Sequence, residues 1–227
     1  MKKIVSIISI FAIILSATQF VLADYSDDTT ITDGQFAYKK GTNNILAYVG
    51  TTGICEIPEN TTLKGLTPSW AKDAAPITKL IINDNVDINM IISGELVNLN
   101  KLKEVEIKEG VTEIPYQFLK GCNNLEKITL PSTIEIIDDE AFSECSKLST
   151  LDLNDGLQSI GRYAFSETTL SGNLNIPDTV THMDVTAFTD CGNLDKVHMS
   201  NNIECEKDKN YCYWFPQTDI KEITPFT

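Results

Sequence analysis

Histidine is nearly missing from this chain of 227 residues, and with it the usual ligands of a zinc centre. The two copies, His182 and His198, lack the His-Glu-x-x-His spacing that brings two imidazoles onto one ion. Glycine-rich phosphate loops are missing too. Gly156-Leu157-Gln158-Ser159-Ile160-Gly161 misses the spacing of a nucleophile elbow by one residue. Asn83-Asp84-Asn85-Val86-Asp87 begins like a calcium loop, but Ile88 stands where the turn glycine belongs and Gly94 where the bidentate glutamate belongs. It reads as a polar turn. No catalytic residue, metal site or cofactor is therefore expected. Basic charge is also scarce: 18 Lys and Arg face 32 Asp and Glu, for a net charge of −14. Such a surface repels phosphate backbones and anionic headgroups, which argues against nucleic-acid binding and peripheral membrane binding.

Past residue 23 no apolar run is long enough to span a bilayer. The first 23 residues differ from all the rest. Lys2 and Lys3 precede an apolar run from Ile4 to Leu15, and Val21-Leu22-Ala23 precedes the acidic Asp24. This is the layout of a secretory signal peptide. An uncleaved anchor is the rival reading, but Ser6, Ser9, Ser16, Thr18 and Gln19 interrupt the span. Cleavage would remove two of the 18 basic residues and no acid, leaving 16 against 32 and a net charge of −16. A secreted or cell-surface protein is expected, with no membrane insertion after cleavage.

What the chain has in abundance is a 23-residue period. Leu102, Leu125 and Leu148 recur at that interval, as do Val105, Ile128, Leu151, Leu174 and Val197. Three further columns agree: Ile107, Leu130, Leu153, Ile176 and Met199; Val111, Ile134, Leu157, Val180 and Ile203; Ile114, Ile137, Ile160 and Met183. A fixed period of roughly 20 to 29 residues built on L-x-x-Φ-x-Φ is the mark of a leucine-rich repeat solenoid. Leu125, Ile128 and Leu130 would point inward from a short strand and Lys127 and Thr129 outward. Stacked coils would join these strands into a parallel β-sheet face. Ala141-Phe142 recurs as Ala164-Phe165 and Ala187-Phe188, which predicts a phenylalanine stack inside the coils. The slot after the last column holds Pro115, Asp138, Gly161 and Asp184. Proline cannot take the positive φ that Gly and Asp tolerate, so the coil at Pro115 is expected to turn differently.

Five segments follow: a signal peptide at 1–23, a flexible polar stretch at 24–33, an N-terminal cap with a degenerate first repeat at 34–76, the leucine-rich repeats at 77–203, and a C-terminal cap at 204–227. Phe36-Ala37-Tyr38 and Ile45 to Val49 flank a Gly/Asn turn and predict a capping hairpin. Gly53 to Pro58 is a first, degenerate strand phrase. Ile77, Leu80, Ile82 and Val86 then stand 25 residues before their counterparts.

Six cysteines in a secreted chain invite disulfides. Cys122, Cys145 and Cys191 fall on the period, where parallel Cβ vectors disfavour a bridge, and read as buried thiols. Cys205 and Cys212 leave the period and could close a short loop in the C-terminal cap, or stay free. Tyr211, Tyr213, Trp214 and Phe215 cluster beside them. That cluster either covers the apolar end of the last coil or, if exposed, offers a sugar-stacking platform; Trp70 poses the same choice at the other end.

The outward strand positions form the candidate protein-binding face. One column reads Glu104, Lys127, Thr150, Asn173 and Lys196, the next Glu106, Thr129, Asp152, Asn175 and His198. Cross-coil neighbours such as Glu104 and Lys127 can pair. No aromatic stripe crosses these columns, which weakens a carbohydrate groove here.

Leu130-Pro131-Ser132-Thr133-Ile134, Ala141-Phe142-Ser143-Glu144-Cys145 and Ile160-Gly161-Arg162-Tyr163-Ala164-Phe165 resemble the BspA-like class of leucine-rich repeat. The resemblance covers most of Ile77 to Ile203, with a weaker echo at Cys55 to Pro58. It implies a secreted or surface-displayed protein whose partner is an extracellular protein, with adhesion to host or matrix proteins as its role. A glycan-binding module using the cap aromatics is the alternative.

Overall fold

The computed structural model describes residues 30–32, 35–48, 50–63, 76–89, 96, 99–203 and 215–225. The coils stack as the period requires, and the intervals can be read from strand pairing. β4 (Ile54–Ile57), β6 (Lys79–Ile82), β7 (Glu104–Ile107) and β9 (Lys127–Thr129) form one parallel sheet. Ile54 pairs with Lys79, Lys79 with Glu104, and Glu104 with Lys127. The ladder is thus already present at the degenerate first phrase. A second parallel sheet runs along another side of the coils, from β8 (Glu113–Ile114) through β10 (Ile136–Ile137) and β11 (Ser159–Ile160) to β13 (His182–Met183).

Ahead of the ladder, β2 (Phe36–Lys39) and β3 (Asn44–Tyr48) form the antiparallel hairpin, and β3 pairs in parallel with β5 (Thr62–Leu63). Phe36, Ile45 and Tyr48 are buried in the same core as Cys55 and Ile57 of the first coil. β1 (Thr30–Thr32) adds an antiparallel edge to β2, inside the stretch expected to be flexible. Ladder hydrogen bonds come from the backbone, so a short strand can be ordered there whatever its side chains. At the far end β12 (Ser171–Asn175), β14 (Asn193–Met199) and β15 (Asp219–Pro225) make a third parallel sheet. Repeat geometry therefore runs past residue 203.

Every apolar column read from the sequence lies in the core or packs against it. Phe142 stacks on Phe165 at 5.4 Å between ring centroids, Phe165 on Phe188 at 5.1 Å, and Phe188 on Phe215 at 5.3 Å. Phe118 meets Phe142 edge-on at 6.4 Å and 90°. Its different attitude follows from its slot. Leu119 N–H donates to Ala141 O as Phe142 N–H does to Ala164 O, each at 2.8 Å. Leu119 therefore holds the phenylalanine position and Phe118 the alanine position.

The turn at Pro115 corrects an expectation. Phe118 N–H donates to Pro115 O at 3.2 Å, as Ala141 N–H donates to Asp138 O at 3.4 Å and Ala187 N–H to Asp184 O at 3.0 Å. Positive φ falls two residues later, at Gln117 (53°), Glu140 (56°) and Tyr163 (52°). The slot itself needs no left-handed backbone, so proline fits and the coil turns like its neighbours.

Cys55, Cys122, Cys145 and Cys191 are free and buried. Cys145 Sγ donates to Leu119 O at 3.3 Å and Cys191 Sγ to Phe165 O at 3.0 Å, so each thiol meets a carbonyl of the preceding coil. Thr168 takes the vacant rung, and its hydroxyl donates to Phe165 O at 2.9 Å.

Candidate protein-binding face

Strand alternation decides which side chains reach this face. Val105 and Ile107 of β7 are buried while Glu104 is exposed and Glu106 half-buried. Lys127 and Thr129 of β9 are exposed on either side of buried Ile128. Glu104 lies beside Lys127 in register, yet its ion-pair partner is Lys79 on the opposite side, at 3.3 Å. Lys79 also reaches Glu106 at 3.6 Å. Glu106 in addition holds Lys108. The hydrogen bond from Lys108, and secondarily the charges of Lys108 and Lys79, hold the Glu106 carboxyl below its ordinary range, and Glu106 in turn raises Lys108.

The far half of the face sits on β12 and β14. Asn173 and Asn175 are exposed and pair in register with half-buried Lys196 and His198. β15 extends both columns. Lys196 meets Glu222 at 3.1 Å, and His198 Nδ1 shares a hydrogen bond with Thr224 Oγ1 at 3.0 Å.

Thr150 and Asp152 are exposed but lie outside any strand, so the one continuous sheet expected is two sheets with a seam. The seam has a local cause. Counting 23 from Leu148 gives Ser171, which is exposed, while Leu170 one residue earlier is buried. Gly172 at φ 76° and a register shift between Gly172 and Asn173 then restore Leu174 to its column. The coil spanning Leu148 to Leu170 is thus offset where it would join the two ladders.

The eight predicted residues on β7, β9, β12 and β14 therefore fall into two polar patches, with Thr150 and Asp152 between them. Sequence reasoning missed Lys79, Glu222 and Thr224, which continue the columns. Lys79 could have been reached through the 25-residue interval; the 26-residue step from β14 to β15 matches no earlier one. Cys205, Cys212, Trp70, Tyr211, Tyr213 and Trp214 lie outside the described residues. Phe215 is buried against Phe188 and has no part in an exposed aromatic platform.

Asn83 to Asp87 form a turn with Asn85 at φ 58°, and Asn83 Nδ2 donates to Glu56 Oε1 at 3.2 Å. His182 is on β13 and His198 on β14, in different sheets. Among the described residues no three His, Cys, Asp or Glu side chains gather as a metal site. Nor is any helix among them long and apolar enough to cross a membrane.

The model of the BspA type leucine rich repeat region matches residues 70–195 and 112–224, in six copies. No curated protein matches the chain. A leucine-rich repeat protein of T. pallidum is 18% identical, with TM-score 0.52 over 85% of each chain. One from Eubacterium ventriosum is 21% identical, with TM-score 0.48 over 69% of this chain and 48% of the other. A leucine-rich cell surface protein of Faecalibacterium prausnitzii is 22% identical, with TM-score 0.45 over 76% of this chain and 55% of its own. The chain spans about half the length of these last two. The likeness to the first shows the fold.

Proposed function

The chain belongs to the BspA-type leucine-rich repeat family, and from that we propose that it is an extracellular recognition module, secreted or displayed at the cell surface, that adheres to a host or matrix protein. The supporting observation is the outward side of the two strand ladders. Glu104, Lys127, Thr129, Asn173 and Asn175 are held exposed on backbone whose ladder bonds fix their spacing. A preformed polar surface of this kind loses little conformational entropy on binding. Affinity would come from many small contacts across both patches. The reading requires no catalytic group and no cofactor. The leader at residues 1–23 supports export.

A binding screen against immobilised extracellular-matrix proteins and a glycan array at physiological salt tests this. We expect a saturable protein hit that weakens about tenfold or more on combining Glu104→Lys, Asp152→Lys and Lys196→Glu, because like charges then face each other across the interface. A protein hit indifferent to those changes would remove the strand face from the account. Glycan hits lost on Trp214→Ala would transfer recognition to the C-terminal aromatics.

A further inference from the structure

The second sheet presents a different surface, and it carries the exposed apolar side chains of the array's middle coils. Each of its four coils contributes one: Tyr116 (42% exposed), Ile136 (39%), Tyr163 (44%) and Val185 (45%). Ile136 points outward from β10 between Glu113 of β8 and Ser159 of β11. Tyr116 and Val185 stand at the ends of the next row of equivalent positions, whose middle is the Asp139–Arg162 ion pair at 3.0 Å. Tyr163 follows in the adjoining row beside Glu140, which accepts a hydrogen bond from Gln117 Nε2 at 3.1 Å. At about 4.8 Å per coil the four side chains span about 15 Å. On the strand ladders the large exposed apolar side chains among the described residues lie on end strands, Ile54 of β4 (56%) and Ile223 of β15 (54%), and none lies on β7, β9, β12 or β14.

Charge says what fits there. Residues 112–122, 135–145, 158–168 and 181–191 hold nine carboxylates and two basic side chains, a net charge of −7, half of the whole chain's −14. Both bases are already engaged, Lys120 with Glu140 and Glu144 and Arg162 with Asp139. Glu113, Glu135 and Glu167 have no cationic partner among the described residues. A second copy of the chain would bring −7 against −7, and nucleic acid or anionic lipid is repelled in the same way.

We infer that this lateral face is a second docking surface, and that its partner is a basic protein segment in which arginines alternate with aliphatic side chains. Arginines would lie over the Tyr116 and Tyr163 rings and between the carboxylates, while aliphatic groups cover Ile136 and Val185. The inference is independent of the strand face, since no residue belongs to both.

The test uses three labelled eight-residue peptides at 0.1 M salt: alternating Arg-Leu, alternating Arg-Gly and alternating Ser-Leu. The Arg-Leu peptide should bind the purified chain at least about fivefold more tightly than either of the others, since cation–π contacts and apolar burial act together. Tyr116→Ser with Tyr163→Asn should abolish that preference; asparagine tolerates the positive φ at position 163. Val185→Lys, at an ordinary backbone position, should do the same by a separate route. Glu104→Lys with Lys196→Glu should leave it unchanged. Equal binding of the two arginine peptides, tighter binding of the Ser-Leu peptide, or a preference that survives both lateral-face variants would overturn the inference.

Discussion

At the scale of single residues, burial sets the chemistry of the thiols. Desolvation pushes the Cys191 thiol up to about 12 and raises Cys55 and Cys145 as well, so the reactive thiolate is suppressed at neutral pH. Of the six cysteines, no more than two should therefore react with a thiol reagent in the native chain at pH 8, and Cys55, Cys122, Cys145 and Cys191 should appear only on unfolding. Mass spectrometry of the alkylated protein checks this; fast labelling of any of the four would contradict it. Glu140 gives a pH prediction. The Lys120 hydrogen bond, aided by that from Gln117, holds its carboxyl below the ordinary carboxylate value. A depressed folded-state value contributes stability that is complete above the unfolded value of about 4.3 and lost as pH falls through the folded one. Urea midpoints measured from pH 6 to pH 3 should therefore fall less steeply for Glu140→Gln than for the parent.

Elements depend on columns of residues more than on any one of them. Phe165 is stacked between Phe142 and Phe188 and fully buried, so Phe165→Ala should cost about 3 to 5 kcal/mol in urea unfolding. Phe215→Ala, at the end of the stack, should cost less. At Gly161 a Cβ would come within 2.6 Å of Asp139 N and 2.7 Å of Asp138 C, both backbone atoms of the preceding coil. Gly161→Ala should cost about 1 to 3 kcal/mol through forced separation of the two coils. A midpoint unchanged from the parent would refute that close approach.

The element scale also shows what a sequence can reveal here. The apolar columns were legible because each repeats through several coils and a core position admits few residue types. The seam at Thr150 to Leu153 was not, because it arises from a one-residue offset at Leu170 that leaves composition untouched. Nor was the role of Phe118, since a phenylalanine in the alanine slot looks like a displaced member of the phenylalanine column. Positions of positive φ were assigned two residues early, because glycine and aspartate at the slot suggested a left-handed turn that the backbone makes at Gln117, Glu140 and Tyr163.

The described coils form a linear stack, so cooperativity should respect the period. Deleting residues 126–148 removes one 23-residue coil and joins Leu125 to Ser149, which occupies the position equivalent to Glu126. That variant should keep a single cooperative thermal transition at a lower temperature, whereas deleting only residues 137–148 should abolish it. Calorimetry separates the two. The polar columns of the strand face were legible as positions, while their pairing was not: Glu104 pairs with Lys79, which also reaches Glu106, so one lysine of β6 gathers both acidic side chains of β7.

Lysine acetylation of the complex with a matrix protein, read by mass spectrometry against the free chain, tests the central claim most directly. If recognition uses the strand face, Lys127 and Lys196 become protected while Lys39, Lys40 and Lys147 react as before. Protection confined to Lys120 on the lateral face, or none at either strand-face lysine, would contradict it.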